Sequence, residues 1–147
     1  MPAFDFTLTN TIGKSIHLRD LKGKTLLIDF WFTGCSACRE VAPYLKRIKD
    51  SLATYPDFLL VSISIDKDKS SWLSGIAAET YTSKDVLNLY TNGLGVDDPL
   101  IKYYRFSGFP QLMIIDRKTN LYDSKPLHPD SETAMNAVLT EIRLAMK

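Results

Sequence analysis

The sequence predicts an α/β fold: a central mixed sheet with helices on both faces and an N-terminal β-hairpin. Three observations carry this expectation. Runs rich in β-branched and aromatic residues alternate with segments of helical periodicity along the 147 residues. Thr25 to Phe32 is apolar on both faces apart from Asp29, the pattern of a strand covered on both sides. Short strand-like pairs separated by turn residues stand near both ends and would add antiparallel strands to the sheet.

Taken in order, Phe4 to Leu8 and Ser15 to Leu18 flank Asn10-Thr11-Ile12-Gly13 and form the expected hairpin. Leu18 to Lys24 reads as a short turn closed by Gly23, and the central strand follows. Val41, Leu45, Ile48 and Leu52 then share one helical face while Glu40, Arg47, Lys49 and Asp50 lie off it, so that helix packs on the sheet. Phe58 to Ile65 is a second β-rich run, ended by the charges Asp66 to Lys69. Ser70 to Glu79 is a weaker helix with Gly75 in its middle. Val86 to Tyr90 reads as a strand and Thr91 to Gly95 as a loop. Asp98-Pro99 starts a helix, with Asp98 as N-cap and proline at the first helical position. Leu112 to Ile115 is a strand with Asn120 to Asp123 as its hairpin partner. Asp130-Ser131 caps a last helix whose Met135, Val138, Leu139, Ile142 and Met146 share a face.

Length and composition suit one domain over 1–147, with 45% apolar residues and a mean hydropathy of -0.09. Eighteen basic and 17 acidic residues leave a formal charge of +1, with no excess to draw nucleic acid or a membrane surface. No run approaches the roughly 18 apolar residues of a membrane span, and the N-terminus has no signal-peptide pattern. The chain as given therefore reads as a soluble domain making no membrane contact of its own. It would be either a cytoplasmic protein or a domain cut from a longer exported one.

Both cysteines lie in Cys35-Ser36-Ala37-Cys38, where the central strand turns into the first long helix. At such a junction the first sulfur can face solvent while helix amides point toward it, an arrangement suited to thiol-disulfide exchange. Amide dipoles favour a Cys35 thiolate. Arg39 supports that thiolate and Glu40 opposes it. Asp29 would bury a carboxylate if its strand is central, which raises its pKa; the alternative is an acid at a wet strand edge. Asp66 reads first as part of a solvated charge run and second as a further acid at the active-site end of its strand.

Asp29-Phe30-Trp31, Cys35-x-x-Cys38, Ala42-Pro43 and Gly108-Phe109-Pro110 together resemble the thioredoxin superfamily. Phe4-x-Phe-x-Leu, the Leu18 to Lys24 turn, Ile65-Asp66 and Ile115-Asp116 are similar to its extracytoplasmic TlpA or ResA-like branch. The chain departs from the usual pattern at Gly34, where relatives carry Trp, and at Ser36-Ala37, where thioredoxin has Gly-Pro. The resemblance implies a thioredoxin-like fold and a protein-disulfide reductase of the bacterial periplasm or envelope. Cys35 would be its nucleophile, Cys38 the resolving thiol, and Asp29 the acid that exchanges a proton with Cys38. It further implies that Pro110 is the cis-proline beside the pair and that Phe109 binds a substrate strand through its backbone. Trp31 and Gly34 join Phe109 and Pro110 in the substrate-binding set, Trp31 either shielding the sulfurs or packing the core. Pro43 would kink its helix as in relatives. Partners would be protein disulfides or dithiols and an unidentified electron donor, with no cofactor beyond the Cys35-Cys38 disulfide.

Other readings of the cysteine pair remain. A zinc site wants about four ligands and would have to recruit the isolated His17 and His128. A structural disulfide in a binding or chaperone-like module would use the groove at Pro110 without turnover. A thiol peroxidase would want Pro-x-x-x-Thr-x-x-Cys, and neither cysteine sits in that pattern.

Overall fold

The computed structural model describes residues 1–147. Seven strands form one sheet: β1 (Thr7–Asn10), β2 (Ser15–His17), β3 (Thr25–Trp31), β4 (Phe58–Ser64), β5 (Leu87–Tyr90), β6 (Gln111–Ile115) and β7 (Leu121–Asp123). Their order is β2-β1-β5-β4-β3-β6-β7. β3, β4 and β5 run parallel, and antiparallel pairs extend the sheet on either side. Four helices complete it: α1 (Ser36–Ser51), α2 (Lys69–Ala78), α3 (Pro99–Tyr104) and α4 (Glu132–Ala145). The mixed sheet, the helices and the N-terminal hairpin are those the sequence predicts.

Strand alternation divides β3 between two cores. Leu26, Ile28 and Phe30 join a cluster that includes Val61 and Ile63 of β4 and Leu100 and Ile101 of α3. Leu27 points the other way, into a cluster with Val41, Leu45 and Ile48 of α1 and Met135, Val138 and Ile142 of α4. All seven residues of β3 are buried, as its double-sided apolar pattern requires. The face carrying Leu27 also carries Asp29 and Trp31, so the carboxylate lies on the α1 side of the sheet.

Capping side chains set several helix starts. Asp98 accepts from the Leu100 amide at 2.9 Å, and Pro99 opens α3 without needing a donor. For α4 the cap is Ser131, which accepts from the Ala134 amide at 3.1 Å. Asp68 caps α2, and Glu79 ends it in the left-handed region at φ 53°. The segment before β1 departs from expectation. The strand starts at Thr7 because Phe6 is buried in the α3-side core and the Phe4 amide donates to Tyr104 Oη at 2.9 Å. Phe6 keeps one bond in line with the ladder, its carbonyl accepting from the Leu18 amide at 3.1 Å. No helix is long and apolar enough to cross a membrane.

Candidate active site

The C-terminal ends of parallel β3 and β4 open at one edge, where the loop Phe32-Thr33-Gly34 carries the chain from β3 into α1. Cys35 is the N-cap of α1, and its Sγ accepts the Cys38 amide at 3.1 Å. A sulfur in that position faces the positive end of the helix dipole. Cys35 and Cys38 are joined as a disulfide across a Cα separation of 5.2 Å. Both are buried, at 5% and 1% exposure. The Phe109–Pro110 peptide bond is cis, and the Phe109 carbonyl oxygen lies 3.7 Å from Cys35 Sγ. Phe109 also meets Phe32 edge-on, with ring centroids 6.1 Å apart; Phe32 is 36% exposed. The half-buried Phe109 and the buried Pro110 therefore stand on the sulfur side of the pair.

The loop before Cys35 is tied down one amide at a time. The Thr33 amide donates to Asp66 Oδ1 at 2.8 Å, and the Thr33 hydroxyl donates to Oδ2 at 2.9 Å. The Gly34 amide donates to Tyr81 Oη at 2.8 Å, and the Cys35 amide to the Phe32 carbonyl at 3.2 Å. Gly34 has φ +96°, where a side chain would strain the backbone.

Below the pair lies an aromatic cluster of Trp31, Trp72, Tyr81 and Tyr90 with both cysteines. Trp31 stacks on Tyr81 at 4.8 Å, and its Nε1 donates to Ser62 Oγ at 2.8 Å. Gly75 of α2 makes room for that indole: a Cβ there would come within 2.7 Å of Trp31 Cη2. Two expectations are corrected here. Trp31 is fully buried, so it supports the sulfurs from beneath and offers no surface to a substrate. Asp66 is not part of a solvated charge run. It is 7% exposed and accepts from Thr33 and from Ser64 Oγ, because it follows β4 directly and faces the loop leaving β3.

Asp29 is 2% exposed, and its Oδ1 has no hydrogen-bond partner. Burial pushes its pKa from the ordinary 3.8 to about 8. With Ser62, its neighbour across the β3–β4 ladder, it lines a cavity of about 510 Å³ between α1 and residues 79–86. Arg39, Pro43, Lys46 and Lys49 border the same space from α1. The buried carboxyl thus reaches a pocket on the flank of α1, away from the Phe109 side. His17 lies on β2, with Nδ1 2.7 Å from Thr7 Oγ1.

Sequence reasoning missed Tyr81, Ser62 and the latch role of Asp66. Only Gly75 carried a signal: a glycine inside a helical pattern marks a close approach. Tyr81 lies 47 residues from Gly34 with no spacing to relate them.

A protein-family model described as thioredoxin-like matches residues 23–121. The chain is 27% identical over 119 residues to the thioredoxin-like protein YneN of Bacillus subtilis, covering 81% of this chain and 66% of that one. It is 29% identical over 124 residues to the thiol-disulfide oxidoreductase ResA of the same organism, covering 84% and 54%. The chain therefore spans between about half and two thirds of the length of these relatives. Among solved structures, the thioredoxin domain of a thiol-disulfide oxidoreductase from Bacteroides vulgatus superposes with a TM-score of 0.80 at 27% identity, covering 97% of this chain and 96% of that one. With the cysteine pair at the start of α1, the cis-proline beside it and the family match across most of the sheet, the chain belongs to the thioredoxin-like family as a member similar to the TlpA and ResA-like proteins.

Proposed function

We propose that residues 1–147 act as one domain that exchanges disulfides with protein substrates through Cys35 and Cys38, chiefly as a reductant in the cell envelope. The observation that carries the reading is the disulfide at the N-terminus of α1, one sulfur 3.7 Å from the carbonyl that precedes a cis-proline. The resemblance to the extracytoplasmic TlpA and ResA-like branch supports the compartment and the direction.

In the reducing direction the Cys35 thiolate attacks one sulfur of a substrate disulfide and displaces the other as a thiolate. Phe109 offers backbone groups to the substrate strand as it docks, a form of strand addition. Cys38 then gives its proton to ionised Asp29 and attacks Cys35 Sγ, which releases the second substrate sulfur. Two electrons pass to the substrate, and the pair is left as the disulfide seen here. The cavity on the α1 flank lets Asp29 return that proton to solvent. A donor of thiol electrons must then reduce the pair, and no further cofactor enters the cycle.

Trapping tests the reading. A Cys38→Ser variant should accumulate mixed disulfides through Cys35, and Cys35→Ser should lose all activity toward a protein disulfide. Full activity in the Cys35→Ser protein would overturn the mechanism. Equilibration with glutathione buffers tests direction: a potential near about -270 mV fits a reductant, whereas one near about -120 mV fits an oxidant.

A further inference from the structure

Of the three amides leading into Cys35, the middle one is held from outside the thioredoxin motif. Asp66, at the end of β4, takes Thr33, and the loop's own Phe32 takes Cys35. Gly34 is taken by Tyr81 Oη, from the segment between α2 and β5. Tyr81 is itself fixed. It is 5% exposed, its ring is stacked on Trp31, and Trp31 is locked by Ser62 and by the space above Gly75. The chain of contacts runs from the sheet through Trp31 and Tyr81 to the residue before the nucleophile. Gly34 needs such an anchor. Its positive φ comes with no Cβ and nothing within 4 Å of where one would stand, so packing does not hold it.

We propose that Tyr81 is a positioning residue for Cys35: its hydroxyl fixes the left-handed Gly34 turn and so keeps the Cys35 sulfur at the first amides of α1. The inference rests on Cys35 being the exchanging thiol. The Gly34 amide, and Arg39 behind it, hold the Tyr81 phenol below its usual range against the opposing effects of burial and of Asp66. Without the hydroxyl, the turn loosens and the sulfur loses part of its contact with the Cys38 amide. The thiolate, and with it the reduced form, is then less favoured.

Two variants separate this from simple ring packing. Tyr81→Phe keeps the stack on Trp31 and removes only the hydroxyl, whereas Tyr81→Leu removes both. In glutathione buffers Tyr81→Phe should shift the equilibrium about fivefold toward the Cys35-Cys38 disulfide, the value of one ordinary hydrogen bond. In the reduced protein, the pH midpoint for iodoacetamide alkylation of Cys35 should rise. Tyr81→Leu should show both effects and a lower melting temperature. A Tyr81→Phe protein with wild-type equilibrium and wild-type alkylation midpoint would overturn the proposal and leave Tyr81 as packing alone. If the wild-type protein exchanged with no disulfide at all, the functional reading would fall, and the alkylation midpoint would still decide the role of Tyr81.

Discussion

Asp29 and Asp66 are both buried acids near the active-site edge of the sheet, one on β3 and one just past β4, and the chain treats them in opposite ways. Asp66 accepts from Thr33 N, Thr33 Oγ1 and Ser64 Oγ, so its charge is matched by donors and works as a latch on the Cys35 loop. Asp29 has an unpartnered oxygen, faces a cavity, and keeps its proton to about pH 8. Burial alone thus does not make a carboxylate reactive. What separates the two is the supply of donors: Asp66 has them and is tied into the loop, whereas Asp29 lacks them at Oδ1 and is held protonated, the state the proposed exchange with Cys38 would draw on.

The largest expected effect follows from that difference. Folded Asp29 releases its proton near pH 8 and the unfolded chain near 3.8, so its contribution to stability is fully present below about pH 4 and is lost as pH rises toward 8. Asp29→Asn removes this penalty. Urea denaturation should show the variant more stable than wild type by about 3 kcal/mol at pH 8, after the cost of burying an unpaired amide, and less stable by about 2 kcal/mol at pH 4, where only that cost is left. A wild-type and variant pair with parallel stability profiles would break the comparison. Asp66→Ala should have the opposite sign, losing about 2–3 kcal/mol at neutral pH as Thr33 and Ser64 lose a charged acceptor. A neutral result would mean that the latch carries no energy.

Gly75→Ala comes next, at about 1–2 kcal/mol destabilising, because its Cβ must displace the Trp31 indole. The same variant should perturb near-ultraviolet circular dichroism, which reads tryptophan packing. The smallest effect is expected far from both acids. Arg47→Ala breaks an exposed 3.4 Å pair with Glu132 and should change stability by less than about 0.5 kcal/mol.

The comparison also shows what a sequence can and cannot reveal. β3, α1 and the Asp98-Pro99 start of α3 were legible because their signals are local: a double-sided apolar run, a helical stripe, a capping dipeptide. Cys35, Cys38, Asp29 and Pro110 were legible through the motif spacing of a family. Asp66 looked like one member of a charge run, since Asp66-Lys67-Asp68-Lys69 contains nothing to show that Thr33, 33 residues earlier, would face it. Tyr81 was silent for the same reason. Its partner Gly34 lies across the β3–α1 loop, and no period in the chain relates the two. Trp31 was legible as a residue beside the sulfurs but not as one that only packs beneath them, because strand alternation gives the face a side chain takes and not the depth at which it ends.

The most direct test is the pH dependence of mixed-disulfide resolution in single turnovers, followed in wild type and in Asp29→Asn from pH 6 to pH 10. If Asp29 takes the Cys38 proton, the wild-type rate should rise through an inflection near pH 8, where the carboxyl ionises. The variant should be slower by about a hundredfold at pH 8, the lower end of what a positioned acid or base contributes, and should lack that inflection. A variant that resolves the mixed disulfide as fast as wild type across the range would show that the unpaired acid is a buried remnant with no part in the exchange.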